Sequence, residues 1–310
     1  SEEQTNATSF GAMSMAIMTL EVFAGMWINA FVVCVLCISW IKKKTLNSNE
    51  KILLLLGCSR FWYLFTSWVY SFLLIIYTNY LYVQATYTLL LSMQGFFECS
   101  DLWFSACLCV FYCIKVANFR NRFFFYLKVK IDRIVPWLLL GSVILALNIS
   151  ILTYDITGKA HCNNSTGRAN FSKVSIKMED GFFPTYFIYG FGYITSFTAV
   201  IFSALLLLFS LWRHKCNMQT NSMKDLSVDA HIRAMKSILS FLVMYSINFI
   251  SLMLSLIFWM KEENLMLFLI YIFLYAFPGV HSLILIFSNP RLQKTMLKLL
   301  PFVKCKVCMR

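Results

Sequence analysis

The sequence predicts an all-helical membrane protein: a seven-helix transmembrane bundle followed by a short amphipathic helix. Three observations carry this. Of 310 residues, 59% are hydrophobic, only 13% are charged, and the apolar residues gather in seven long runs. A soluble domain carries roughly a quarter charged residues. About 20 apolar residues cross a bilayer, and longer runs cross at a tilt. The runs 13–41, 51–77, 85–116, 134–155, 182–212, 233–260 and 264–288 meet that requirement. Each must be helical, because backbone in lipid has to satisfy its own hydrogen bonds.

Taken in order, the segment before span one is polar and acidic. It has no basic stretch leading into a short apolar core, so no cleavable signal peptide is read. The polar run 78–87 separates spans two and three. Charge then sets the orientation. Segments 42–51, 115–133, 213–236 and 291–310 hold 21 of the 27 Lys and Arg residues, and the opposite side holds five. By the positive-inside rule the N-terminus is outside and the C-terminus cytoplasmic. The net charge of +13 is thus a topology signal with attraction to inner-leaflet lipid, and no nucleic-acid partner is needed. The sequons at Asn6, Asn163, Asn164 and Asn170 all fall on the outer side, where glycosylation occurs. A sequon at Asn148 lies inside span four and is read as chance.

The chain reads as a single domain, 1–310, without repeats. Loop 156–181 is polar and outside, loop 213–232 is basic and inside, and 289–310 is a cytoplasmic tail. In the tail, Pro290 suits a helix start. Leu292, Met296, Leu299 and Leu300 share one face with Lys294 and Lys298 opposite, as in a helix lying on a membrane surface. The closing CKVC has no second pair and no nearby His, so zinc is not expected. Cys305 and Cys308 are open either to acylation or to no modification. Of the 11 cysteines only Cys162 is clearly outside, and joining it to Cys99 would need the outer loop to dip deep into the bundle.

An enzyme is not indicated. The four histidines are scattered, and no HExxH, GxSxG or P-loop pattern occurs. Span seven has no lysine for a Schiff base, and the absence of repeated halves argues against a transporter. No cofactor or metal is called for.

Inside the third run, GFFECSDLWF places Glu98 and Asp101 where a carboxylate has few partners, and an ionisable residue within a membrane is a functional candidate by default. Gln94, Glu98, Asp101 and Ser105 follow helical spacing and form one polar stripe. Arg60 is the buried cation of span two. Depth at about 1.5 Å per residue brings Asp101 nearer to it than Glu98. The expectation is an Arg60–Asp101 pair with Asn29 and His281 as polar neighbours.

Several motifs carry a family likeness. Span one, LEVFAGMWINAFVVCVLCISWIKKK, has Glu21, Gly25, Asn29, Phe31 and Trp40 at characteristic spacing. CSRF surrounds Arg60, and span three ends LWFSACLCVFYCIKVANF. Later come FSLWRHKCNMQ, DLSVDAHIRAMKSILSFL and FPGVHSLILIFSNPRL. Together these resemble the bitter taste receptors, the type 2 taste receptor family; D-R-Y and N-P-x-x-Y are not present. Vomeronasal type 1 receptors are the nearest confusable group, and a small-molecule transporter or channel is the alternative of a different class.

The resemblance implies a multi-pass plasma-membrane receptor that detects bitter small molecules. It also implies activation of a heterotrimeric G protein of the gustducin or inhibitory class. Membrane lipids or a sterol are separate candidate partners. Tyr112, Lys115, His214, Met218, His231 and Lys236, at the inner ends of spans three, five and six, become candidates for G-protein contact or for holding the resting state. Their basic members can equally be topology charges. Glu98 falls at the family's pocket floor, and with Gln94, Tyr189, Asn248 and Tyr271 it forms the candidate ligand set. It is either an ionised counter-ion for amines, a neutral hydrogen-bonding group, or a sharer of Arg60. The chain also departs from the family in carrying Ser196-Phe197 instead of Pro-Phe, and Asn248 where Tyr is common.

Overall fold

The computed structural model describes residues 2–76, 85–116, 122–165, 182–220, 225–259 and 264–308. Side chains are described chiefly within 13–73, 86–116, 122–157, 187–213, 238–258 and 266–299. The described residues form eight helices: α1 (Glu2–Lys43), α2 (Ser48–Ile76), α3 (Ala85–Val116), α4 (Arg122–Ser165), α5 (Phe182–Thr220), α6 (Asp225–Trp259), α7 (Asn264–Ser288) and α8 (Pro290–Cys308). Seven of them, α1 to α7, are long and apolar enough to cross a membrane. The fold class read from the sequence is therefore the one observed.

Local chemistry explains where helices begin and end. Lys44 takes a positive φ of 58°, and its N–H donates to the Trp40 carbonyl at 2.7 Å, closing α1. Asn47 opens α2: its N–H donates to Glu50 Oε2 at 3.1 Å, the return arm of a capping box. Asn289 Oδ1 accepts from the Arg291 N–H at 3.0 Å, capping α8, and Pro290 supplies a first residue that needs no donor.

The α4 helix is longer than the run 134–155 at both ends. Arg122, Lys130 and Arg133 point outward while Ile131, Val135 and Leu139 are buried, so an amphipathic turn absorbs charges that look like a loop in sequence. Pro136 lies within this helix and cannot donate to the carbonyl four residues back. That carbonyl, on Asp132, accepts from Ser48 Oγ at 3.5 Å. At its far end α4 continues to Ser165 and carries the backbone of Asn163 and Asn164, which the sequence placed in a loop. Once started, a helix extends through polar residues at little cost per residue.

The α3 span is the most buried of the seven and packs against α2, α4 and α5, while α1 and α6 flank α7. Close approach of α1 and α7 needs glycine: a Cβ on Gly279 would stand 3.2 Å from the Gly25 Cα. One apolar cluster joins Val32, Leu56, Leu108, Val135, Ile286 and Leu292; another joins Tyr193, Val200, Tyr245, Leu252, Leu274 and Phe277. On the tail helix α8, Leu292 is fully buried in the bundle while Lys294, Leu297, Lys298 and Leu299 are exposed. Leu292 and Met296 turn inward against the first cluster, while Leu299, on the same apolar face, is exposed.

Candidate functional site

Two polar tiers lie along α3. The lower is built around Arg60, which has no exposure. Its Nε donates to Asp101 Oδ1 at 2.7 Å. Its Nη1 donates to Ser282 Oγ at 2.9 Å, and its Nη2 reaches Ser105 Oγ at 3.3 Å and His281 Nδ1 at 2.5 Å. Guanidinium has no acceptor, so His281 Nδ1 must accept and its proton sits on Nε2. The Ser282 hydroxyl donates to Asn29 Oδ1 at 2.7 Å, and Asn29 Nδ2 donates to the Gly25 carbonyl at 2.8 Å. The network ties α1, α2, α3 and α7 together at one depth. The four residues singled out from sequence for this tier, Asn29, Arg60, Asp101 and His281, meet in it. Ser105 and Ser282 were missed as partners of Arg60; the serine of the PGVHS motif was the available signal.

No α6 side chain hydrogen-bonds into this tier among the described residues. Aromatic rings hold that helix instead: Phe241 lies 4.6 Å from the His281 ring, and Tyr245 meets Phe277 edge-on at 5.9 Å. Phe197 stacks on Phe249 at 3.9 Å. Beside it, Ser196 Oγ donates to the Tyr193 carbonyl at 3.0 Å, and α5 runs unbroken through this position.

The upper tier centres on Glu98, which stays partly accessible. Tyr193, 6% exposed, donates its hydroxyl to Glu98 Oε1 at 2.9 Å. Tyr63, Tyr189 and Tyr275 lie within electrostatic reach of the same carboxylate. Tyr63 and Tyr275 are 6.5 Å apart, and Tyr271 stacks on Tyr275 at 5.8 Å. None of the ion pairs among the described residues includes Glu98; Arg60 is committed to Asp101. Tyr193 of α5 thus bonds the carboxylate, tyrosines of α2 and α7 lie within its electrostatic reach, and no cation pairs with it among the described residues.

The remaining members of the candidate ligand set fall as follows. Tyr189 points its hydroxyl over Gly95, within 3.1 Å of Thr153 Oγ1, so it fills the α3–α4–α5 seam. Gln94 Oε1 is buried with no hydrogen-bond partner among the described residues. Asn248 is 6% exposed on α6. Tyr193, Tyr63 and Tyr275 were not singled out from sequence, since one tyrosine among 15 carries no mark of its neighbour. Trp103 packs away from the acids, with Cys99, Ala146 and Ile149. Cys99 is a free thiol, and the side chain of Cys162 lies outside the described residues.

At the end of the bundle that carries α8, Tyr112 donates to Asn49 Oδ1 at 3.1 Å, and Lys115 pairs with Asp132 at 2.5 Å in an exposed position. Arg291 pairs with Glu50 at 2.5 Å, joining α8 to α2. His214, Met218, His231 and Lys236 lie on helical backbone, but their side chains are outside the described residues. So are those of Asn6, Asn163, Asn164, Leu300, Cys305 and Cys308, and Asn170 lies outside altogether.

Seven membrane-length helices around a buried polar lock define a multi-pass seven-helix membrane protein. Residues 7–304 match the family model described as taste receptor protein (TAS2R). Taste receptor type 2 member 9 of Homo sapiens is 31% identical over 302 residues, covering 95% of each chain. Taste receptor type 2 member 41 of Mus musculus is 33% identical over 297 residues, covering 92% of this chain and 94% of that one. Taste receptor type 2 member 2 of Homo sapiens is 29% identical over 298 residues, covering 95% and 98%. The chain belongs to the taste receptor (TAS2R) family. It is a bitter-taste-type G-protein-coupled receptor that works through a small-molecule ligand, and is not an enzyme.

Proposed function

We propose that this receptor responds preferentially to cationic amines, with Glu98 as their counter-ion and the upper tier as their site. One observation carries the reading: Glu98 is partly accessible, lies among tyrosines, and has no cation among its described partners. Tyrosine faces attract ammonium groups, and a partly desolvated cation–π contact is worth about 0.5–2 kcal/mol. Gln94 above it, Tyr271 beside Tyr275 and Asn248 of α6 are the other residues offered for ligand contact.

The lower tier is the structural partner of this site. Asn29, Arg60, Asp101 and His281 hold the bundle at mid-depth, and ligand binding biases the balance of two bundle states through differential affinity. The N-terminus faces outside the plasma membrane, with glycans on Asn6, Asn163, Asn164 or Asn170, and the basic loops face the cytoplasm. There the receptor engages a G protein of the gustducin or inhibitory class through the ends of α3, α5 and α6. Tyr112, Lys115, His214, Met218, His231 and Lys236 are the residues offered for that contact.

The test is Glu98→Gln in the full-length receptor, read as G-protein activation by one cationic and one neutral agonist. A selective loss for the cation supports the reading. Equal loss for both agonists sinks it.

A further inference from the structure

We infer that Tyr193 determines how Glu98 meets a cation: it takes one carboxylate oxygen, leaves the other to the ligand, and so favours a compact ammonium over a forked guanidinium. The inference rests on the amine reading above and narrows its ligand class.

The geometry begins with the tyrosine. Its hydroxyl lies 2.9 Å from Glu98 Oε1, and a phenol has one proton to give. The Glu98 Oε2 atom receives no hydrogen bond from the described residues. One oxygen is therefore committed and the other is open. A glutamate held at one oxygen has already lost side-chain freedom before ligand arrives, which lowers the cost of binding.

Tyr193 is itself held in place. Its ring lies 6.0 Å from that of Tyr189, whose hydroxyl is fixed between Thr153 of α4 and the bare Cα of Gly95 on α3. Any Cβ at residue 95 would collide with that hydroxyl. The buttress thus runs from α3 and α4 through Tyr189 to Tyr193 and back to α3 at Glu98. The neighbouring Asp101 offers no alternative anchor, because its charge is already paired with Arg60.

Ammonium and guanidinium differ in what they ask of a carboxylate. Guanidinium is a planar fork that pairs with both oxygens at once. Ammonium is a compact point charge that one oxygen satisfies. With Tyr193 on Oε1, the second arm of a guanidinium has to share an oxygen that already accepts one bond, whereas an ammonium is satisfied by Oε2 alone.

The experiment uses the full-length receptor in cells, read by G-protein activation with the surface amount of each variant measured in parallel. The probes share one skeleton: phenethylammonium, phenethylguanidinium and 2-phenylethanol. The wild-type chain is expected to answer the ammonium at lower concentration than the other two. Tyr193→Phe keeps the ring and removes the hydroxyl. It should raise the half-maximal concentration for the ammonium about tenfold, the scale of one hydrogen bond to a charged group. The guanidinium response should stay unchanged or improve, and the alcohol response should not move. Adding Tyr193→Phe to Glu98→Gln should change nothing further.

Equal shifts for all three probes would mean that Tyr193 only packs, which overturns the inference. If Glu98→Gln is selective for cations while Tyr193→Phe is silent, the inference falls and the amine reading stands. If the wild-type chain does not prefer cations, or Glu98→Gln is unselective, both fall. Should Tyr193→Phe fail to reach the surface, Gly95→Ala displaces the Tyr189 buttress from another helix and gives the same comparison.

Discussion

Asp101 and Glu98 stand one turn apart on the same face of α3, and their surroundings make them different groups. Asp101 is held by the Arg60 Nε at 2.7 Å and lies within a polar network spanning four helices. Glu98 has a phenol on one oxygen, tyrosines within electrostatic reach and no cation among the described residues. An acid inside a bundle takes its role from the partners that other helices bring to its depth. The lower acid is consumed by structure, and the upper one remains available for chemistry with a ligand.

The sharpest way to break this comparison is Asp101→Ala. It strands a guanidinium with no exposure, and breaking a buried pair costs about 3–5 kcal/mol. The expected result is a large fall in surface amount and in the unfolding temperature of the detergent-solubilised receptor. A near-native unfolding temperature would show that Arg60 has no need of Asp101.

Glu98→Gln comes next and should act on ligand, not on folding. Losing a charged hydrogen bond is worth about 1.5–3 kcal/mol, or roughly 10- to 150-fold in the half-maximal concentration of an amine. Calorimetric or fluorescence unfolding should stay near wild type. If stability falls as it does for Asp101→Ala, the two acids are alike after all.

Gly95→Ala tests the buttress of the upper tier. The added methyl meets the Tyr189 hydroxyl, and overpacking costs about 1–3 kcal/mol. Amine responses should weaken while the lower tier, read by unfolding temperature with and without Asp101→Ala, behaves independently. Additive losses in the double variant are expected; strong coupling would mean that the tiers are one unit.

The smallest effect is expected at Lys115→Ala. Its pair with Asp132 is exposed on both sides, and such pairs contribute about 0–1 kcal/mol and weaken in salt. Unfolding should barely move, so a drop in G-protein activation at equal surface amount would assign Lys115 to the inner docking face.

Legibility in the sequence followed the range of each interaction. The seven spans were readable because bilayer thickness imposes one length on each run. Arg60 and Asp101 could be paired because a buried cation and a buried acid at matching depth have few other choices. The start of α4 was hidden: its basic residues read as a loop until Ile131, Val135 and Leu139 found a buried side. Tyr193 was hidden for another reason, since a tyrosine in an apolar run looks the same whether it faces lipid, core or an acid.

The sequence by itself determined that the chain is a seven-helix membrane receptor, that α3 carries an acid stripe, and that its motifs resemble those of bitter taste receptors. Those properties are local or follow from composition, and the membrane enforces them segment by segment. Only the tertiary structure decided that Ser282 and His281 share Arg60 with Asp101, that Tyr189 rests on Gly95, and that Tyr193 holds Glu98. These depend on the rotation of one helix about its axis relative to its neighbours. Packing of side chains across the bundle fixes that angle, and no single run of sequence contains it.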